Sequence, residues 1–434
     1  MNYFRQLWYD MRHQKMMTWV AISGTAVSIF LVMVMFMVNS LKTVEVAPDI
    51  NRQRIYAGMT VTIKSTNPED NWMTRGNMNY PLAQRLYGDL KGVELVSYCG
   101  QSAYPRDVMI KDKVPVNVST KMVDGKFWKM FDFNFLEGEP FTEDDCLGNT
   151  NKIVLTRSLA HRLFSTQEVV GREINLGRDK YVISGVVEDV NPILQNIWAD
   201  VYTPVVSSMR EDDISRYNAC GYFMALMLYE KKTDPESVKA QVKSRYATLN
   251  AEWAKEGAEL VYNGVPYDAE QLGMTDVGYV EPDVKKEHRT QYVIYALLLL
   301  LPAINLSSMM RGRLRHRVSE IGVRRAYGAK RRDIIRQLIG ENLVVTVVGG
   351  LIGLGLSYLF MLTLSSEFFM FVDGNRISSL EAMMAIPSFG MLFTWSTFFI
   401  SVGACLVLNL LTATVPAWRA SMMEPAVAIS KSRT

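Results

Sequence analysis

Three adjacent acidic residues, Glu143, Asp144 and Asp145, are of the type that binds cations or supplies paired catalytic carboxylates. Adjacent side chains in a loop do not converge on one point, however, and such a run is more typical of a solvated turn. The histidines are scattered, and none stands at metal-ligand spacing from another histidine or a cysteine; they are His13, His161, His288 and His316. The sequence therefore predicts neither a metal site nor a catalytic site.

Motifs for nucleotide binding and hydrolysis are missing from these 434 residues. The sequence contains no Walker A motif, no G-x-S-x-G elbow, no H-E-x-x-H pair and no protein-kinase signature. The glycine-rich stretch 349–355 lies inside an uncharged apolar run, where small residues favour close packing of helices. We therefore expect that the chain is not an enzyme and binds no cofactor, neither ATP nor Mg²⁺.

The four cysteines predict no disulfide framework. Cys405 falls in an apolar run, which leaves Cys99, Cys146 and Cys220 as an odd set of three. We assign no function to these three residues.

The segment 311–336 is strongly basic. It contains ten Lys and Arg residues against only Glu320 and Asp333, and uncharged runs lie on both sides of it. Basic loops between apolar spans are retained in the cytoplasm, which explains the charge better than a nucleic-acid-binding patch does. The sequence therefore predicts a cytoplasmic loop and no nucleic-acid partner.

This basic segment also has a helical pattern. Leu314, Val318 and Ile321 fall on one face of a helix, and Gly328 is well placed to end that helix as a C′ residue. A new helix is predicted to begin near Lys330 and to continue into the next apolar run. The segment therefore reads as a helix–turn–helix elbow at the membrane surface.

Four uncharged runs are long enough to cross a bilayer, which requires about 20 apolar residues in a helix. They predict transmembrane helices at 17–41, 290–310, 338–364 and 391–415, the last bracketed by Pro387 and Pro416. A mean hydrophobic content of 49% indicates that a sizeable aqueous domain accompanies these spans. The uncharged runs themselves, 16–41, 290–310, 342–366 and 382–418, contain no acidic or basic residue, which argues against an ion relay and against a secondary transporter.

Flanking charges set the predicted orientation. Basic residues precede the first span and follow the fourth, and the segment 311–337 lies between the second and third. The positive-inside rule then places both termini in the cytoplasm, with 42–289 and the short loop 365–390 outside and the tail 416–434 inside. A cleaved signal peptide is the alternative for the first run, but the run exceeds a 7–15-residue apolar core.

Residues 1–16 have the pattern of an amphipathic helix. Phe4, Leu7, Trp8 and Met11 share one face, and the charged residues lie off it. Such a helix lies in the cytoplasmic interface and contacts membrane lipid, or it packs on neighbouring spans.

The outer segment predicts an α+β domain with an insertion. Strand and helix signals recur in 42–125 and in 206–280, where Asp234 and Pro235 mark the start of a helix that runs to about Trp253. Between these parts, 126–205 is turn-rich and strand-like, and we expect an inserted β-rich subdomain there. Its pattern predicts a loop at 136–145, a strand at 152–156, a short helix at 157–164 and a strand pair at 171–176 and 181–187. Residues 281–289 are charged and helix-compatible, and they predict a stalk leading into the second span.

Several stretches resemble the MacB/FtsX-type ABC transporter permeases. The elbow signature is carried by 320–329 (EIGVRRAYGA) and 332–334 (RDI). The outer domain is similar to the family's periplasmic core domain at 136–142, 153–156, 159–164, 170–174 and 181–186, and the C-terminal stretches 416–420 and 424–428 resemble the family's ending. Ser319 stands where a basic residue is usual, and Tyr327 replaces a common aliphatic residue.

The resemblance implies a dimeric permease, homo- or heterodimeric, in the bacterial inner membrane. Its outer domain would be periplasmic, and ATP hydrolysed by a separate ABC ATPase subunit would move that domain, a process called mechanotransmission. The resemblance implies that the ATPase rests on one set of elbow residues: Glu320, Arg324, Arg325, Gly328, Lys330, Arg331, Arg332 and Asp333.

Two functions are compatible with the resemblance. The first is export or efflux of peptides, drugs or lipoproteins, with a membrane-fusion adaptor and an outer-membrane channel as further partners. The second is an FtsX-like signalling module that activates a periplasmic cell-wall hydrolase without transporting anything. An outer domain of about 245 residues with an inserted subdomain favours the first.

Overall fold

The chain folds into two compact units. The computed structural model describes 15–41, 45–272, 282–297 and 330–373, together with 323, 327, 328, 399, 400, 403 and 407; within these ranges 68, 71, 111–112, 192–193, 195, 211–213, 216–217, 287 and 295 are left out. The β-rich unit comprises 42–284 and 366–388, and the helical unit comprises 1–41, 285–365 and 389–434.

The β-rich unit contains a 14-stranded sheet and short helices. The strands are β1 Ile55–Gly58, β2 Thr60–Ser65, β3 Met73–Met78, β4 Val93–Gly100, β5 Tyr104–Met109, β6 Val116–Val123, β7 Phe135–Gly138, β8 Lys152–Thr156, β9 Glu173–Leu176, β10 Asp179–Val187, β11 Val201–Pro204, β12 Cys220–Gly221, β13 Phe223–Tyr229 and β14 Ala258–Val261. The helices are α2 Tyr80–Tyr87, α3 Phe127–Met130, α4 Glu143–Leu147, α5 Arg157–Phe164, α6 Ser207–Arg210, α7 Pro235–Trp253 and α8 Ala269–Leu272. In the helical unit, α1 is Lys15–Leu41; α9 is Arg331–Asp373, of which 331–365 belongs to this unit.

One half of the β-rich unit, the sheet lobe, is built from β1–β4, β12–β14, α2 and α7. Strand β13 pairs antiparallel with β4 along its whole length, and it is buried at all seven positions. Helix α7 begins as its sequence predicts, with the Asp234 side chain accepting a hydrogen bond from the backbone N–H of Glu236 and Pro235 in the first turn. Its apolar side chains, from Val238 to Trp253, are buried on the sheet lobe's core side.

The other half, the barrel lobe, is a closed ring of six strands. Going round the ring, β6 pairs with β5, β5 with β9, β9 with β10, β10 with β8, β8 with β11, and β11 again with β6. Closure satisfies the backbone groups of both edges of the sheet. The barrel interior is filled by apolar residues contributed from β5, β6, β8–β11 and α5.

The barrel differs from the predicted boundaries of the inserted subdomain. The strand at 152–156, the helix at 157–164 and the strand pair near 171–187 are confirmed. The predicted insertion starts at 126, however, whereas β5 and β6 (104–123) belong to the barrel and bury Val108 and Val118 in its core. A six-stranded ring cannot close without them, so the inserted part begins directly after β4.

The acidic run is helical, and the prediction of a loop at 136–145 is wrong. Glu143, Asp144 and Asp145 form the first turn of α4, with Thr142 as N-cap. The Thr142 side chain accepts a hydrogen bond from the Asp145 backbone N–H, and the Asp145 carboxylate accepts one from the Thr142 backbone N–H. Acidic residues in a first turn also interact favourably with the helix dipole.

In the helical unit, α1 and α9 pack against each other through small residues of α9. A Cβ atom on Gly349 would lie 2.9 Å from the Thr25 side chain, and one on Gly353 would lie 2.6 Å from the Ala26 carbonyl oxygen. Phe30 and Phe360 meet edge to face with ring centroids 5.5 Å apart. The predicted role of the glycine-rich stretch in close helix packing is therefore confirmed.

Among the described residues, one helical stretch is long and apolar enough to cross a membrane. It is Leu343–Phe360, with a mean hydropathy of 2.2, and Ile22–Met35 is a shorter apolar helix. Residues 284–286, 288–294 and 296–297 are helical and run from the predicted stalk into the predicted second span. The rest of that span and nearly all of the predicted fourth span lie outside the described residues.

Candidate functional site: the elbow and the lobe joint

In the elbow, the structure describes Val323, Tyr327, Gly328 and the residues from Lys330 onward, and these have the geometry of a helix end followed by a helix start. The Tyr327 backbone N–H donates to the Val323 carbonyl over 3.1 Å, which is a helical bond, and Gly328 then adopts a left-handed φ of 90°. Helix α9 begins at Arg331, where the Lys330 carbonyl accepts from the backbone N–H of Asp333. The predicted break at Gly328 and the restart near Lys330 are both present.

The side chains of this turn face outward. Tyr327 is 87% exposed, and Lys330, Arg332 and Asp333 are exposed as well. Asp333 lies in the first turn of α9, where a negative charge is favourable. Glu320, Arg324 and Arg325 lie outside the described residues, as does the side chain of Arg331.

Helix α9 connects the elbow to the apolar stretch without a break. Its 43 residues run from Arg331 to Asp373, a length of about 65 Å at 1.5 Å per residue. The glycine contacts with α1 lie in its first half. The elbow end of α9 and the region packed on α1 therefore belong to one uninterrupted helix.

In the β-rich unit, a buried carboxylate joins the two lobes. Asp124, directly after β6 of the barrel lobe, is 0% exposed. Its carboxylate accepts hydrogen bonds from the Ser97 hydroxyl (2.7 Å) and the Tyr98 backbone N–H (2.8 Å), both on β4 of the sheet lobe. It also accepts from the backbone N–H of Phe127 over 3.0 Å. We call the set Tyr80, Ser97, Asp124, Glu143 and Arg210 the lobe joint.

Burial and hydrogen bonding act on Asp124 in opposite directions. Removal from water raises the pKa of its carboxyl to about 6, although the hydrogen bonds from Tyr98 and Ser97 favour the charged form. The Asp124 carboxyl group therefore gains or loses its proton near pH 6, at the place where the two lobes meet.

An arginine forms the second connection between the lobes. Arg210 on α6 donates to the Glu143 carboxylate of the barrel lobe, with Nη1 and Oε1 2.8 Å apart. The same guanidinium lies over the ring of Tyr80, on α2 of the sheet lobe, at 4.8 Å from the centroid. The other oxygen of Glu143 accepts from the Gly125 backbone N–H over 2.9 Å, which ties Arg210 to the segment after Asp124.

A buried lysine lies beside the joint. Lys121 on β6 is 0% exposed, and its ammonium donates to the Gln101 carbonyl oxygen over 3.2 Å. Burial lowers the pKa of Lys121 to about 8. Gln101 belongs to the short connection between β4 and β5, so this bond ties β6 to the segment that links the two lobes.

Metal chemistry finds no support in the described part of the chain. No group of three or more His, Cys, Asp or Glu side chains there is placed to hold a metal ion. The carboxylates of the acidic run diverge instead, with Glu143 on Arg210 and Asp145 on Lys152, which are 2.8 Å apart in both pairs. The described cysteines Cys99, Cys146 and Cys220 are free thiols.

Two protein families match the chain in consecutive segments. The MacB-like periplasmic core domain matches residues 18–245, more than half of the chain, and the FtsX-like permease C-terminal domain matches residues 292–425. The chain belongs to the MacB/FtsX-type family of ABC transporter permeases. The β-rich unit is thus the MacB-like periplasmic core domain, and members of this permease family are membrane proteins.

Curated relatives are similar in sequence over part of their length. The macrolide export ATP-binding/permease protein MacB of Chromobacterium violaceum is 24% identical over 318 residues, 73% of this permease and 44% of that protein. The uncharacterized ABC transporter permease YknZ of Bacillus subtilis is 24% identical over 298 residues, 67% of this permease and 64% of YknZ. This permease therefore spans less than two thirds of either relative.

A solved structure is also similar in part. The periplasmic region of MacB from Actinobacillus actinomycetemcomitans is 15% identical, and the match covers 49% of this permease and 90% of that chain with a TM-score of 0.33.

Sequence reasoning missed the whole lobe joint. The buried aspartate follows β6 as an isolated acid, and Arg210 lies more than 60 positions away from its partner Glu143. One local signal was available in the sequence, the glycine directly after Asp124. In the structure, a Cβ at Gly125 would lie 2.2 Å from the Glu143 backbone nitrogen. A glycine required by close backbone approach marks the point where the chain passes between the lobes.

Proposed function

We propose that this chain is a permease subunit that couples ATP hydrolysis by a separate ATPase subunit to conformational change in the periplasmic domain. The observation that carries the proposal is the elbow. The basic segment with the family signature has a helix break at the left-handed Gly328, and α9 then runs unbroken through the apolar stretch Leu343–Phe360. An outward-facing turn rigidly attached to a long helix has the mechanical form of a lever.

The proposed topology has four transmembrane helices, with both termini in the bacterial cytoplasm. Helix α1 supplies the first span and α9 the third, and the second and fourth are proposed from the uncharged runs at 290–310 and 391–415. The absence of charged residues from these runs supports a protein that moves its outer domain and carries no ion across the membrane.

The proposed partners follow from the permease family. An ABC ATPase subunit binds ATP and Mg²⁺ and docks on the elbow at Glu320, Arg324, Arg325, Gly328 and the segment 330–333. A second permease subunit completes a dimer, and the periplasmic domain works with an adaptor in export of peptides, drugs or lipoproteins.

The test is charge reversal in the elbow. Replacing Arg324 and Arg325 together by Glu inverts two adjacent charges at the proposed docking site. We expect the variant to insert normally and to lose the ATPase subunit on purification. The matched control is Lys231→Glu with Lys232→Glu, an adjacent exposed pair on the periplasmic domain, which should keep the ATPase. If the elbow variant still copurifies with a full complement of ATPase, the proposed docking role is wrong.

A further inference from the structure

A basic face precedes the predicted second span. Six residues of the helical stretch 284–297 line one open groove of about 470 Å³, and they are Lys285, His288, Arg289, Tyr292, Val293 and Ala296. Their spacing of three, four, seven, eight and eleven positions places them on one side of the helix. A single helix face therefore presents bases first, then an aromatic ring, then small aliphatic side chains.

The polarity of this face changes over a short distance. Lys285 and Arg289 are exposed, Tyr292 is 67% exposed, and the exposed apolar side chains Val293 and Leu297 follow. Ala296 lies seven positions after Arg289, about 10 Å along a helix. That distance is comparable to the depth of the boundary between lipid headgroups and acyl chains.

Retention of positive charge in the cytoplasm does not explain these bases. In the topology proposed above, on which this inference rests, they lie on the outer side of the membrane, where Lys and Arg are not enriched. Tyr292 stands at the first turn of the uncharged run, the position at which tyrosine anchors helices to the headgroup layer. Its ring centroid is 6.1 Å from that of His288, so the two rings are close together beside the cations.

We propose that this face binds an anionic phospholipid of the outer leaflet, with its phosphate on Lys285 and Arg289 and its acyl chains along Val293 and Ala296. The guanidinium offers paired donors to phosphate oxygens, and the ammonium adds a point charge. Free phosphate shares the headgroup chemistry but has nothing to place on the apolar part of the groove.

Native mass spectrometry of the full chain in detergent tests the proposal, with phosphatidylglycerol and phosphatidylcholine as separate probes. We expect tighter retention of phosphatidylglycerol, and Lys285→Gln with Arg289→Gln should weaken it by about tenfold or more at low salt. Lys285→Arg with Arg289→Lys should keep the binding, and so should the charge-matched control Lys231→Gln with Lys232→Gln. Equal retention of phosphatidylglycerol by wild type and the Gln variant would overturn the site.

Three further arms separate the possible failures. Inorganic phosphate at the lipid's concentration should not displace phosphatidylglycerol, and full displacement would overturn the lipid assignment in favour of a simple phosphate site. The Arg324→Glu, Arg325→Glu variant should retain phosphatidylglycerol as wild type does, because the lipid face is independent of ATPase docking.

In a Cys220→Ser background, Lys286→Cys should react with an impermeant maleimide in intact cells. The absence of a reaction would overturn the outer-leaflet assignment, whatever the ATPase result.

Discussion

Replacing Gly353 by alanine tests the packing of α1 on α9. The added Cβ atom would lie 2.6 Å from the Ala26 carbonyl oxygen and 3.1 Å from the Ile29 Cβ atom. Both belong to the backbone or the first side-chain atom of α1, so neither can rotate away. Because ordinary carbon contacts lie near 3.5–4.0 Å, the helices must move apart by about 0.5–1 Å.

That separation weakens every contact along the helix pair. A gap of about 0.5–1 Å forfeits about a quarter to a half of each dispersion contact, and overpacking of this kind costs about 1–3 kcal/mol. The Phe30–Phe360 pair and the contact of Ile22 with Val345 lie on the same interface and should loosen together. We therefore expect Gly353→Ala to lower the melting temperature of the purified full chain by several degrees.

Gly355→Ala is the matched control, because it makes the same change two residues along the same helix. No atom lies within 4 Å of a Cβ at Gly355, so this variant should melt at or slightly above the wild-type temperature, as expected from the higher helix propensity of alanine. Differential scanning fluorimetry in detergent measures both. Equal melting temperatures for Gly353→Ala and Gly355→Ala would refute the packing argument.

Three predictions concern Asp124 of the lobe joint and its neighbours Lys121 and Gly125, each measured as thermal unfolding of the full chain. The pKa of Asp124 is raised in the folded state to about 6 from 3.8, so its contribution to stability is largest below pH 4 and is lost as pH rises through 6. Asp124→Asn should remove that loss of stability. Identical pH profiles for wild type and Asp124→Asn would contradict this prediction. The pKa of Lys121 is lowered to about 8 from 10.5, so the buried charge destabilises the wild type below pH 8, and stability rises towards pH 10. Lys121→Met should therefore be stabilised most, relative to wild type, below pH 8. A stabilisation that grows towards pH 10 would refute this prediction. Gly125→Ala places a Cβ 2.2 Å from the Glu143 backbone nitrogen and should lower the free energy of unfolding by about 2–3 kcal/mol. Gly76→Ala is the control: its Cβ would lie 3.4 Å from the Cys220 Sγ atom, and it should lower the free energy of unfolding far less. Equal losses of stability for the two variants would contradict the predicted clash.

Local signals predicted the elements that local chemistry determines. The sequence predicted the start of α7 at Asp234-Pro235 and the helix break at Gly328. Both could be predicted because capping and left-handed backbone depend on one or two neighbouring residues. The strand pair β9–β10 was readable because its partners are adjacent in the sequence. Assignment to the permease family rested on motifs of the same local kind and is confirmed.

Features that depend on pairing between distant parts of the chain could not be predicted from the sequence. The barrel needs β6 to pair with β11, about 80 positions later, and no local pattern in 104–123 indicates that partner. Asp124 is an isolated acid in the sequence, and its importance comes from burial against Ser97 and Tyr98. The capping box at Thr142 was a missed local signal, since Thr followed three residues later by an acid predicts a helix start.

The central claim is that ATP hydrolysis by an ATPase subunit docked on the elbow changes the conformation of the periplasmic domain. Hydrogen–deuterium exchange of the permease–ATPase complex in nanodiscs tests it most directly, comparing the nucleotide-free complex with one trapped by ATP and vanadate. We predict altered uptake in peptides covering 95–101 and 120–127, which carry the Tyr98 and Phe127 amides bound to Asp124, and no alteration when Arg324 and Arg325 are both replaced by Glu. Identical uptake in the two nucleotide states of the wild-type complex would contradict the proposed coupling.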